Sequence, residues 1–144
     1  MLFTMPFVRV KGGDKGFEEV AISSITVAIG DALMWTFESE VAVLATSSMT
    51  PERFAGIAVA AATTADTAVL IQKPEEFDEY IVDTNTTTAT TDNYHRLALA
   101  DEDQVTVGAD DTADTGVFMQ LGIVGATTDN KIRGRFVTRQ DRAA

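Results

Sequence analysis

The side chains in this sequence with the means to do chemistry are mostly carboxylates. Asp101, Glu102, Asp103, Asp110, Asp111 and Asp114 crowd two short turns, and oxygen ligands in such numbers suit Ca²⁺ or Mg²⁺. Their spacing is not that of an EF-hand loop, so solvated acidic turns are the reading adopted. Glycoside hydrolysis needs two carboxylates about 5–10 Å apart in a cleft, and with so many acids chance pairs are expected. His95 is the only histidine. A Ser-His-Asp triad would have to use it, yet no Gly-x-Ser-x-Gly elbow accompanies it. A surface or strand-edge histidine is the better reading, and one histidine excludes a His-x-x-His metal site. The absence of cysteine excludes disulfides, thiolate zinc sites and a cysteine nucleophile. Lys11-Gly-Gly-Asp-Lys-Gly16 is glycine-rich but lacks the P-loop spacing and its Gly-Lys-Ser/Thr ending, so it reads as a linker. The chain is therefore read as no enzyme, with no cofactor and no metal.

Two other sets of residues are suited to binding. Trp35, Tyr80 and Tyr94 have rings that stack on sugars, but Trp35 alternates with Leu33 and Phe37 and so reads as core. Lys131, Arg133 and Arg135 share one face of a final strand, with Arg139 beyond them, while Ile132, Gly134 and Phe136 share the other. This stripe either neutralises its own sheet or engages an acidic partner, and partner contact is the reading adopted. It stands out because the charge is uneven. The net charge is −11, yet residues 1–15 sum to +2 and residues 131–144 to +4, leaving −17 between them. Such a body repels nucleic acid, whose binding needs a basic footprint. Scarce lysine, more aspartate than glutamate and abundant Thr, Ala and Val resemble proteins of salt-loving organisms, where concentrated salt screens self-repulsion.

These residues need a scaffold, and the sequence describes one of short strands. Phe54–Gln72 holds two apolar runs around a polar Thr63–Asp66 break, which reads as a hairpin. Its Ala58, Ala60, Ala61 and Ala62 are small on both faces, as close packing against a second sheet or a neighbouring subunit requires. The phrase Thr64-Ala-Asp-Thr-Ala-Val69 returns as Thr112-Ala-Asp-Thr-Gly-Val117, and Ala89-Thr-Thr-Asp-Asn93 as Ala126-Thr-Thr-Asp-Asn130. Ahead of the hairpin, Ile25, Val27 and Ile29, then Leu33, Trp35 and Phe37, then Val41 and Val43 alternate as a meander turning at Gly30-Asp31 and Glu38–Glu40. Thr50 and Pro51 read as the N-cap and first position of a one- or two-turn helix. Pro74–Asp83 reads as a helical turn running into a strand, and Thr84–Asn93 as an exposed loop. Strands at 94–100 and 104–108 and a hairpin of 117–125 with 131–139 complete the chain.

The expected fold is all-β, an antiparallel sandwich or barrel with short hairpins and at most one or two helical turns. Residues 1–16 are expected to form an extended N-terminal arm and Gly-rich linker, and 17–144 a single β domain, as 144 residues allow. Pro6 argues that the arm is no central strand. Its Leu2, Phe3, Met5 and Phe7, with Lys131, Arg133, Arg135 and Arg139, are the expected partner-binding residues. MLFTMPFVRV lacks the basic n-region and long apolar core of a signal peptide. No apolar run approaches the ~20 residues of a membrane-spanning helix, so no membrane partner is expected.

The runs Val27-Ala-Ile-Gly-Asp-Ala-Leu33, Val41-Ala-Val-Leu-Ala-Thr46 and Phe54-Ala-Gly-Ile-Ala58 stand with a close of Gly122-Ile-Val-Gly125 and Asp129-Asn-Lys-Ile-Arg-Gly-Arg-Phe136. Together, over roughly Ile25–Val137, they resemble the small β-rich head decoration (capsid cement) proteins of tailed viruses. Trp35, Pro74–Asp83 and the Thr-rich loop have no counterpart in that pattern. The resemblance implies a structural protein on the outer surface of the virion shell, often a homotrimer, bridging subunits of the major capsid protein without catalysis. A tail-tube or other virion β subunit is the alternative within that class. A carbohydrate- or receptor-binding module is the alternative outside it.

Overall fold

The computed structural model describes residues 6–13, 15–36, 38–75, 77–109, 111 and 114–137. Short apolar runs broken by Gly, Asp and Thr leave no stretch long enough to nucleate a helix, and the described residues form strands and three 3₁₀ turns. In chain order the strands are β1 (Val8–Lys11), β2 (Phe17–Ala21), β3 (Ala32–Trp35), β4 (Ala42–Leu44), β5 (Phe54–Ala58) and β6 (Ala68–Gln72). After them come β7 (Glu79–Thr84), β8 (Arg96–Leu97), β9 (Leu99–Asp101), β10 (Gln104–Val105), β11 (Phe118–Ile123) and β12 (Lys131–Phe136).

Strand β7 organises the first sheet, whose order is β8-β11-β12-β7-β10-β9. One edge of β7 pairs with β12. The other is shared end to end by β1, antiparallel with Val8 opposite Ile81, and β10, parallel with Gln104 opposite Asp83. Only Ala98 separates β8 from β9, so the two ends of the order are one bent strand and the sheet nearly closes into a barrel. The second sheet runs β2-β6-β5-β3-β4, and a single parallel bridge from Ala21 to Val41 links its two edges.

Two cores follow from this curling. The first sheet wraps Tyr80, Val82, Leu97, Phe118, Ile132 and Phe136 against Ala32, Met34 and Ile57 of the second. Phe136 lies at the centre of its aromatic rings, 4.4 Å from Phe54, 4.8 Å from Phe7 and 5.1 Å from Phe118 between centroids. The second core fills the curl of the second sheet with Val20, Leu33, Val69 and Ile71 beside Ala42, Ala55, Ala58 and Ala62. A tightly curled sheet encloses little volume, so small side chains fill it. That is where the hairpin's alanines belong: Ala58 and Ala62 are interior, whereas Ala60 is half-buried and Ala61 exposed. Gly56, at φ 151°, permits the approach of β6. A Cβ there would stand 2.7 Å from Ile71 Cδ1 and 2.8 Å from the Gln72 carbonyl.

Several expectations are corrected. Pro51 starts a 3₁₀ turn of three residues, not an α-helix, and Thr50 makes no side-chain cap. Pro74, Glu75, Phe77 and Asp78 are not helical either, because the Asp78 carboxylate draws in the Glu75 N–H at 2.8 Å and closes a tight turn before β7. Ile29 is exposed and Val27 makes one bridge to Ala62, so the expected alternation past Ala21 is a loop. The positive φ of Ser24 (55°) breaks it. The repeated Ala-Thr-Thr-Asp-Asn phrase twice forms the same 3₁₀ turn, Thr90–Asp92 and Thr127–Asp129.

The largest correction is to the N-terminal arm. Phe7 is 3% exposed within the first core, and β1 is a strand of the first sheet. The glycine-rich linker is also tied down: Gln72 Nε2 donates to the carbonyls of Gly13 (3.1 Å) and Lys15 (2.7 Å). From Pro6 onward the segment therefore belongs to the domain. Leu2, Phe3 and Met5 lie outside the described residues.

Candidate functional site

Where β1 passes the second sheet, the two layers do not meet completely, leaving a pocket of about 300 Å³. Pro6, Phe7, Val8, Ile29, Ile57 and Ala58 supply its apolar walls. Arg9, Gln72 and Tyr80 supply its polar groups. Register explains the grouping, because Arg9 stands opposite Tyr80 and cross-strand neighbours point to one face. Arg9 Nη2 donates to Asp78 Oδ2 at 2.9 Å, and Asp78 is 4% exposed, so the two charges cancel inside the protein. Gly12 covers that pair so closely that a Cβ on it would stand 2.4 Å from Arg9 Nη2. The Tyr80 hydroxyl and Arg9 Nε are buried without a hydrogen-bond partner among the described residues. Burial pushes the Tyr80 phenol up to about 12, so it remains a protonated donor.

On the outer face of the same sheet, β12 presents its basic residues to the acids of β7. Lys131 Nζ meets Asp83 Oδ1 at 3.0 Å. Arg133 donates to Glu79, which Lys11 also approaches at 3.4 Å. The Arg133 hydrogen bond holds the Glu79 carboxyl below its usual range. The Arg135 guanidinium lies 6.0 Å from the Phe77 ring centroid. The stripe is thus brought together as expected, but Lys131 and Arg133 neutralise acids of their own sheet. Arg139 lies outside the described residues. Across β7 from the stripe, β1 has no second strand partner among the described residues, and its Val8 and Val10 are 45% and 48% exposed.

Among the described residues no group of three or more His, Cys, Asp and Glu could hold a metal ion. His95 is exposed, with Nδ1 2.5 Å from Asp111 Oδ2, and Asp111 also accepts the Arg96 N–H at 2.8 Å. The Arg96 N–H first, then His95, keeps the Asp111 carboxyl below its usual range. Asp31 is the acid that sequence reasoning missed. It is 6% exposed, accepts the Ala28 N–H at 2.9 Å, and its carboxyl rises from 3.8 to about 6. Burial is the main cause, with Glu102, Asp103 and Asp101 adding repulsion. Of the three rings suited to stacking, Tyr80 is buried and Trp35 packs on the second core, while Tyr94 is 72% exposed.

Asp78 and Gln72 were also missed. The available signal was polarity in the wrong place: Gln72 ends an apolar strand, and Asp78 follows Phe77 directly before one. Comparison of the chain with protein-family models, with curated proteins and with solved structures finds no match.

Proposed function

We propose that this chain is a structural virion protein, a decoration subunit that binds the outer surface of a tailed-virus capsid and bridges subunits of the major capsid protein. The observation that carries this reading is the edge of β1 beyond Phe7, which has no second strand partner among the described residues, with Val8 and Val10 exposed on the outer face of the strand. An extended segment of a neighbouring subunit gains main-chain hydrogen bonds by adding to such an edge. The likeness of Ile25–Val137 to decoration proteins supplies the class of partner, and a homotrimer is the assembly it implies. A subunit that binds only the mature shell stabilises that shell by its binding free energy, and many copies add by multivalency.

Cryo-electron microscopy of virus particles carrying a labelled chain tests the proposal. Trimers on the outer shell support it, ring-shaped hexamers in the tail support a tail-tube subunit, and particles without label refute both. The edge itself is tested by Val8→Lys with Val10→Lys, which should preserve the fold and abolish attachment. Deleting residues 1–10 is the wrong test, because it removes Phe7 from the core. Tyr94 favours a second reading, a carbohydrate- or receptor-binding module. Its exposed ring sits on a residue at φ 66° whose N–H is pinned to the Gln120 carbonyl at 2.6 Å. Glycan binding lost on Tyr94→Ala would establish that reading instead.

A further inference from the structure

The walls of the pocket beside β1 are mostly apolar, and its one charged residue asks for nothing more, because Arg9 is already matched by Asp78 at 2.9 Å. Ile29, in the wall, is 63% exposed, so the hollow opens to solvent. Apolar surface left facing water is unfavourable, and the chain itself supplies matching material. The described residues begin at Pro6, which is part of the wall. The five residues before it read Met1-Leu-Phe-Thr-Met5 and carry no charged side chain.

We propose that Met1–Met5 docks in this pocket of its own domain, with Phe3 and Met5 as the side chains that fill it. The two are spaced so that an extended segment presents both on one face, and a residue before proline, as Met5 is, favours that conformation. The root of the segment is already held at the site. Phe7 N–H donates to the Gly30 carbonyl at 3.0 Å, and a Cβ on Gly30 would stand 2.6 Å from Pro6 Cβ, so Pro6 is pressed against the loop that carries Ile29. Five extended residues span up to ~17 Å, about twice the width of a pocket of about 300 Å³. The tether also decides between occupants. A segment attached at the wall meets its own pocket at an effective concentration of about millimolar or more, whereas a free ligand or the segment of a second copy gives up translational freedom to enter. Phe3 and Met5 then serve the domain rather than a partner. The inference stands apart from the capsid reading, which rests on the edge of β1 beyond Phe7.

Nuclear Overhauser spectroscopy of the full chain, ¹³C-labelled at Phe, Met, Ile, Val and Ala, tests it. Contacts are expected from the Phe3 ring and the Met5 methyl group to the methyl groups of Ile29, Ile57, Ala58 or Val59. A mixture of labelled and unlabelled chains separates their origin, since isotope filtering keeps only contacts between copies, and these contacts should be lost there. Phe3→Ser with Met5→Ser spares the first core, whose described residues begin at Phe7, and should shift the amide signals of Ile29, Gly30, Ala58 and Val59. Three results would overturn the proposal: no contact from Phe3 or Met5 to the pocket, contacts that survive the filter and so belong to segments exchanged between copies, or pocket amide signals that the double variant leaves unmoved. All three are read without particles, so none of them bears on attachment to a shell.

Discussion

Replacing Asp31 by Asn should make the protein more stable at neutral pH and change little in acid. The folded carboxyl titrates at about 6 against an ordinary 3.8, so the native state binds the proton more tightly than the unfolded chain does. Linkage then gives the sign. Protonating Asp31 stabilises the fold, the gain is complete below about 3.8, and it is lost as pH rises through about 6. At about 1.4 kcal/mol per tenfold change in proton affinity, the displacement amounts to about 3 kcal/mol. Asn retains an oxygen to accept the Ala28 N–H and carries no charge to desolvate beside Glu102, Asp103 and Asp101. Urea unfolding of parent and Asp31→Asn between pH 4 and 8 measures the difference directly. The variant should lead by up to about 3 kcal/mol at pH 8, and the two curves should converge near pH 4. A gap that does not vary with pH, or a variant weaker than the parent at pH 8, would refute the reasoning.

Three further outcomes are expected. Phe7→Ala should cost about 3–5 kcal/mol in the same unfolding assay, because the ring packs on Phe118 and Phe136; a neutral result would return the segment to the role of a free arm. Arg133→Ala should cost no more than about 1 kcal/mol, the range for half-exposed ion pairs, since Glu79 keeps Lys11. Glu79 has a lowered pKa, so this difference should be present at neutral pH and vanish as pH falls through its folded value. The unfolding midpoint should rise from low to molar salt, because the acidic body is then screened; a midpoint that falls with salt would contradict the halophilic reading.

Much of the scaffold was legible because its signals are local. Alternation in Lys131–Phe136 gives the strand and both its faces, and the Thr-Thr-Asp phrases give turns wherever they occur. The pocket was not legible. It depends on Arg9 standing opposite Tyr80 and on Gln72 reaching across to Gly13, and periodicity carries no information about such distant pairs. The apolar N-terminal run was misread for the same reason. Exposed and buried hydrophobic segments look alike until their partners are known, and those of Phe7 lie near the other end of the chain. The partners of the basic stripe were equally hidden, since Asp83 and Glu79 are neighbours of Lys131 and Arg133 only through the pairing of β7 with β12.

The seating of β1 on β7, with Phe7 against Phe136, also dictates an order of events during synthesis. Strand β1 leaves the ribosome well before it can find its place, because its partners β7 and Phe136 are translated later. Until then Phe7 remains on a growing chain with nothing to cover it. Contacts so distant in sequence make folding slow and leave apolar segments open to association with other nascent chains. Maturation of this protein should therefore be limited by release of β12 rather than by the hairpins before it, and shortening the chain at Phe136 should leave the first core unfinished, whereas the second is built within residues 20–71.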